Sequence, residues 1–177
     1  KRPKSLFDNA YLGMLKDKHD KYGMKVQLNV FYRTDFFYGN DEFELSQMTD
    51  CYKGEWQANS HWLKLAFHAK QEFPDYPYVN ASYDDVKNNF ETVKNEIFRF
   101  AGEETFTYVT NPHWLPMSYD GCRALAECGV KILGCSCGTL FPDDTDISIL
   151  PYGHKGRLLQ NRQKESGIFT RVTEDKA

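Results

Sequence analysis

In "LAFHAKQEFPDYPY", residues 65–78, a short apolar run ends on His68 and a carboxylate, Glu72, follows four positions later. Imidazole and carboxylate are both ligands for Zn and related divalent ions, and this spacing lets one loop wrap an ion. The alternative is a strand-capping histidine beside a solvated glutamate. His113, in "TNPHWLP", lies between Pro112 and Pro116. Prolines fix φ and hold a loop in one shape, which suits presentation of a metal ligand or a base, or simply makes a rigid turn. Of the other histidines, His19 falls on the apolar face of a helical pattern, His61 precedes its strand at the opposite rim, and His154 lies in a tail without clear periodicity.

Other chemistries have weaker support. The sequence contains no G-x-S-x-G elbow, P-loop or G-x-G-x-x-G. Cys135-Ser136-Cys137 is C-x-C rather than the C-x-x-C of redox and zinc-ribbon sites, and pairing either thiol with His113 gives no established nucleophile signature. Five cysteines without framework spacing favour a reducing compartment, so a cytoplasmic location is expected.

The elements that would position these groups alternate. "SLFDNAYLGMLKDKHDKYG" opens on the cap candidates Ser5 and Asp8, and Leu12, Leu15, His19 and Tyr22 recur at helical spacing before Gly23. In "MKVQLNVFY", Val26, Leu28 and Val30 alternate with Gln27 and Asn29, which predicts a strand over 25–31. A second helix is expected from Leu45 to Asn59, weakened at Gly54 by about 1 kcal/mol relative to alanine. "WLKLAFH" predicts a strand over 62–67. Ser82 caps a helix whose Val86, Phe90, Val93, Ile97 and Phe100 keep one apolar face up to Gly102. A strand over 106–109, a helix capped by Ser118 and ended by Gly129, and a strand over 130–136 follow. The rhythm α-β-α-β-α-β-α-β predicts parallel strands under outer helices, as a barrel or an open sheet. It opens on a helix, as if a first strand preceded Lys1. Residues 139–177 fit it less well, with "GIFTRV" as a further strand.

Parallel α/β proteins bind ligands at the carboxyl ends of their strands. The predicted ends carry Tyr32, Arg33, Thr34 and Asp35, then His68, Gln71 and Glu72, then Asn111, His113 and Trp114, then Cys135 to Cys137. Aromatic residues make up 15% of the chain and crowd these loops, either as plain packing under long loops or to line a sugar or small-ligand cleft, where ring faces suit apolar CH surfaces. At 177 residues, with 41% hydrophobic and 27% charged, the chain makes one domain with a proper core. A net charge of −3 and a pI near 6.0 give no footprint for nucleic acid, and no apolar run spans a membrane.

With the elements placed, the chain resembles the polysaccharide deacetylase family, the NodB-homology domain, over roughly residues 5–137. "LFDNAYLGMLKDKHDKYGMKVQLNVFY" is similar to the segment after that family's first motif. "HAKQE" stands where the family has H-[ST]-x-x-H, with His68 on the first histidine and Glu72 on the second. "TNPHWLPMSYDGCRALAECGVKILGCS" is similar to its R-x-P-x-G motif with the following helix and strand. Pro112 falls on the motif proline and Thr110 on its arginine, and "PYGHKG" faintly echoes the terminal L-x-I-H. The T-F-D-D-G motif, which carries the catalytic base and a metal-binding aspartate, is not among these residues.

The resemblance implies a deformed (β/α) barrel and a hydrolase that removes N- or O-acetyl groups from a carbohydrate. A divalent metal, Zn foremost, would polarise the acetyl carbonyl and acidify water, a carboxylate would take the proton, and a histidine would protonate the leaving group. His68 and Glu72 would hold the metal. Asp35 would be an acid/base or positioning group, and His113 the acid or a third ligand. Tyr32, Arg33, Phe36, Tyr76, Tyr78 and Trp114 would line the sugar cleft. The competing class is a non-catalytic carbohydrate-binding or structural domain on the same scaffold.

Overall fold

The expected alternation of apolar patterns becomes alternating helices and parallel strands in a computed structural model, which describes residues 3–34, 42–74, 76–114, 117–134 and 169–170. In chain order the regular elements are α1 (Ala10–Tyr22), β1 (Val26–Phe31), α2 (Lys53–Ala58), β2 (Leu63–Ala69), α3 (Tyr83–Ala101), β3 (Val109–Thr110), α4 (Tyr119–Glu127), β4 (Ile132–Leu133) and β5 (Phe169–Thr170). Short 3₁₀ turns at Leu6–Asp8, Leu45–Gln47 and Glu103–Thr105 join them.

The strands pair in parallel throughout. β1 runs beside β2 from Val26↔Leu63 to Val30↔Phe67, and an irregularity then brings Phe31 opposite Ala69. β3 pairs with β4 and β4 with β5. A parallel bridge between Leu65 and Phe106 connects the two groups through β2. The protein is therefore mixed α/β with short parallel strands, and the described strands do not close into a barrel.

Local chemistry sets the helix ends. The Asn9 side chain accepts the amides of Tyr11 and Leu12 at the start of α1, and Gly23 ends it at φ 67°, a left-handed conformation that glycine adopts without steric cost. Ser82 accepts Asp85 N, and Asp84 and Asp85 offset the positive end of the α3 dipole. Ser118 accepts Gly121 N and donates to Ala81 O, so this one hydroxyl caps α4 and ties it to the α3 entry.

The core lies between β2 and α3. Leu63, Leu65, Ala66 and Phe67 are buried, and so are Val86, Phe90, Val93, Ile97 and Phe100 along one face of α3. Each large side chain contributes about 1.5–3 kcal/mol through burial. Phe67 meets Phe90 edge-to-face at 5.4 Å. At the base of the sheet His19 stacks flat on Trp62 at 4.4 Å, and its Nδ1 bonds Met24 O at 2.8 Å.

Three expected elements come out differently. The strand read over 130–136 is regular only at Ile132–Leu133, and 135–136 lie outside the described residues. The span 45–59 is not one helix: Leu45–Gln47 makes a 3₁₀ turn, the backbone at Met48 is extended, and α2 begins at Lys53. Arg99 of α3 explains the break, since its guanidinium takes the carbonyls of Leu45, Ser46 and Met48, acceptors that a continuous helix would use internally. The third strand is regular only at Val109–Thr110, because Phe106 pairs alone with Leu65 and the Thr107 hydroxyl then takes Val109 N. Residue 169 does enter a strand, within the "GIFTRV" segment.

Candidate functional site

β2 and β3 end side by side, and their carboxyl ends are fastened together. The Thr110 hydroxyl donates to Phe67 O, and His113 N donates to His68 O at 3.2 Å. His68 Nδ1 lies 2.6 Å from Asn111 O. A carbonyl can only accept, so this contact places the proton on Nδ1 and leaves Nε2 as a lone pair. That lone pair faces His113 Nδ1 at 3.1 Å, with the rings edge-to-face at 5.0 Å. Glu72 reaches the other end of the second ring, its Oε1 lying 3.7 Å from His113 Nε2.

Burial sharpens this chain of groups. His113 is only 8% exposed, and its Nε2 is a buried polar atom without a hydrogen-bond partner. Phe31, at the end of β1, sets its ring edge-to-face against both imidazoles, at 4.8 Å from His68 and 5.0 Å from His113. Burial lowers the pKa of His68 below its ordinary 6.5, more than the Asn111 carbonyl raises it; His113 lowers it further and Glu72 raises it. His68 is thus held as the neutral imidazole that a ligand or a base requires.

Two imidazole nitrogens bound tetrahedrally to one Zn²⁺ stand about 3.3 Å apart. The His68 Nε2–His113 Nδ1 separation of 3.1 Å fits that arrangement as well as it fits a hydrogen bond. In the metal-holding arrangement, the Asn111 carbonyl is the outer partner that orients His68, the usual device for ligand histidines, while Glu72 stands 3.7 Å from the far nitrogen of His113. Glu72 approaches His113 through Nε2, the nitrogen opposite the one that meets His68. Among the described residues no group of three or more His, Cys, Asp and Glu side chains is placed to hold an ion, so this histidine pair offers two donors.

The remaining candidates flank this pair. Arg33 Nε bonds Gln71 Oε1 at 2.7 Å, and Tyr32 Oη bonds Glu44 at 3.2 Å, bracing the β1 and β2 loops. Trp114 is 40% exposed, 5.5 Å from the His113 ring and 5.3 Å from Tyr76. Tyr78 is buried at 2% exposure, so it offers no open ring face. Its hydroxyl accepts Lys70 N at 3.1 Å, and burial pushes its pKa up to about 12. Asp35, Phe36, Pro116, Cys135 to Cys137 and His154 lie outside the described residues.

Sequence reasoning missed Phe31 and the Asn111 carbonyl as parts of the site. Phe31 did leave a signal: it breaks a polar register (Gln27, Asn29) at the strand's carboxyl end. A carbonyl leaves none, since every residue has one.

No protein-family model, no curated protein and no solved structure matches the chain.

Proposed function

We propose that the chain is a metal-dependent hydrolase resembling the polysaccharide deacetylases, removing N- or O-acetyl groups from a carbohydrate, with the described strands forming part of a deformed (β/α) barrel. The observation that carries this reading is the pairing of His68 Nε2 with His113 Nδ1 at the carboxyl ends of neighbouring parallel strands. His68 Nε2 and His113 Nδ1 would hold a divalent ion, which would supply Lewis acidity at the acetyl carbonyl. With Nδ1 as the donor, His113 would keep its proton at the buried Nε2, 3.7 Å from Glu72 Oε1. Phe31 packs edge-on against both imidazoles and holds their ring planes. Asp35, at the end of the neighbouring strand in sequence, is the proposed acid/base or positioning carboxylate. A cytoplasmic setting is part of this reading, on the spacing of the five cysteines in the sequence.

The test is acetate release from N- and O-acetylated oligosaccharides by the full chain. The reading expects turnover that chelation abolishes and Zn²⁺, Co²⁺ or Mn²⁺ restores, with loss in His68→Ala and His113→Ala. Absence of acetate release with every metal and substrate overturns it. A second reading, non-catalytic carbohydrate binding, draws on the Tyr76–Trp114 ring pair beside the histidines. It predicts saturable oligosaccharide binding without turnover.

A further inference from the structure

A cavity of ≈470 Å³ opens where the loop after β2 folds back onto the start of α3. Its size lies within the range of about 300–1,000 Å³ usual for small-ligand sites. It contains neither His68 nor His113, so it is separate from the histidine pair. Its apolar wall includes Phe73, Tyr76 and Pro77, and its polar wall includes Asn80, Asn89 and Gln71.

Among the described residues that line it, Lys70 contributes one cation and Asp85 one anion, and these cancel. Asp84 and Asp85 already occupy the first turn of α3, so the helix dipole is offset and an anionic ligand gains nothing there. Carboxamides both donate and accept, which matches the hydroxyls of a neutral polyol. Ring and proline faces match its CH surfaces. Tyr78, which also lines the cavity, fixes Lys70 N through its hydroxyl, with the Asn89 side chain nearby.

The cavity is joined to the histidine pair by strained aromatic residues. Among the described residues, Tyr76 (φ 52°) and Trp114 (φ 60°) are the two non-glycine positions with left-handed backbone. Backbone strain of this kind concentrates at ligand sites. Their rings meet at 5.3 Å, with Tyr76 lining the cavity and Trp114 against His113.

We propose that this cavity is a binding subsite for a neutral sugar ring, one unit removed along a carbohydrate chain from the unit at His68 and His113, with Tyr76 and Trp114 as the shared platform. The inference rests on the carbohydrate reading above and adds where the chain lies and that its units are uncharged. Asn80 and Asn89 contact ring hydroxyls, and Phe73 and Pro77 cover a CH face.

The experiment titrates the full chain, with and without EDTA, with tetra-N-acetylchitotetraose, xylotetraose and glucose 6-phosphate, following tryptophan fluorescence and backbone amide shifts. The expected result is binding of at least one neutral tetrasaccharide, in EDTA as well, with shifts at Tyr76, Asn80 and Asn89. Asn80→Ala and Asn89→Ala each weaken it by about five- to tenfold, the loss of one hydrogen bond. Asn88→Ala, on the same helix outside the cavity, binds like the unmutated chain. If Asn89→Ala perturbs folding through Tyr78, the exposed Asn80 still decides the matter. Binding of neither tetrasaccharide, binding indifferent to both cavity variants, or preference for the phosphorylated sugar overturns the proposal. Variant-sensitive binding without acetate release sinks the hydrolase reading and leaves the subsite standing, whereas acetate release with variant-insensitive binding does the reverse.

Discussion

His68 Nε2 and His113 Nδ1 stand 3.1 Å apart, although 45 residues separate them in the chain. The contact follows from strand order. β2 and the segment entering β3 run in parallel, so their carboxyl ends lie together, and His113 N bonds His68 O across the same gap. Asn111 fixes the tautomer of the first ring and Glu72 faces the far nitrogen of the second.

The first prediction concerns protonation of His68 in chelator-treated protein. Burial lowers its folded pKa below the unfolded value near 6.5. The unfolded chain therefore binds more protons in that window, and stability rises with pH. This contribution is complete above about pH 6.5 and is lost as pH falls through the folded value. An NMR titration of the imidazole should give a midpoint below 6.5, the unperturbed value. A midpoint at or above it would contradict the burial argument.

Tyr78→Phe should destabilise the fold by about 1–3 kcal/mol, because it removes the acceptor that Lys70 N uses beside a buried ring. In the unmutated chain the raised pKa of Tyr78, about 12, means the folded state holds its proton more tightly. The linked stability is present below pH 10 and is lost as pH rises toward 12. Denaturant titrations of both chains between neutral pH and pH 11 should therefore converge as pH rises. Curves that stay parallel would refute the linkage.

Arg99→Ala should cost about 1–2 kcal/mol, since it releases the carbonyls of Leu45, Ser46 and Met48 together. Arg99→Lys should recover only part of this, because an ammonium cannot reproduce the planar fork. Equilibrium denaturation of the two variants provides the comparison. Equal stability of Arg99→Ala and the unmutated chain would remove the explanation given for the break after Gln47.

Gly121→Ala should destabilise by about 1–3 kcal/mol through overpacking. A Cβ there would run into Met117 Sδ and would press Ser118 Oγ and Val86 Cγ2 where α4 meets α3. A thermal midpoint equal to that of the unmutated chain would show that α4 can move away freely.

Much of this fold was legible because its signals are local. The 3–4 apolar spacing from Val86 to Phe100, the caps at Ser82 and Ser118 and the stop at Gly23 each act within a few residues. The break between Leu45 and Lys53 was not legible, because Arg99, 51 to 54 residues further on, competes for its carbonyls. The third strand was read over 106–109, but the chain turns at Thr107 and is regular only at 109–110. His68, Glu72 and His113 were each readable as residues at strand ends. Their order in space was not, since contact through Nδ1 or through Nε2 depends on ring orientations that packing against Phe31 sets. Tyr78 read as a cleft aromatic, yet its ring packs inward against Phe67 at 5.8 Å.

The most direct measurement is metal uptake by the purified full chain. Zn²⁺ titrated into chelator-treated protein should bind saturably and raise the thermal midpoint by mass action. His68→Ala and His113→Ala should each abolish both effects while keeping the far-ultraviolet spectrum of the unmutated chain. If the unmutated chain takes up no Zn²⁺, Co²⁺, Ni²⁺ or Mn²⁺ and gains no stability from any of them, the two imidazoles are only hydrogen-bonded to each other and the metal-dependent hydrolase is wrong.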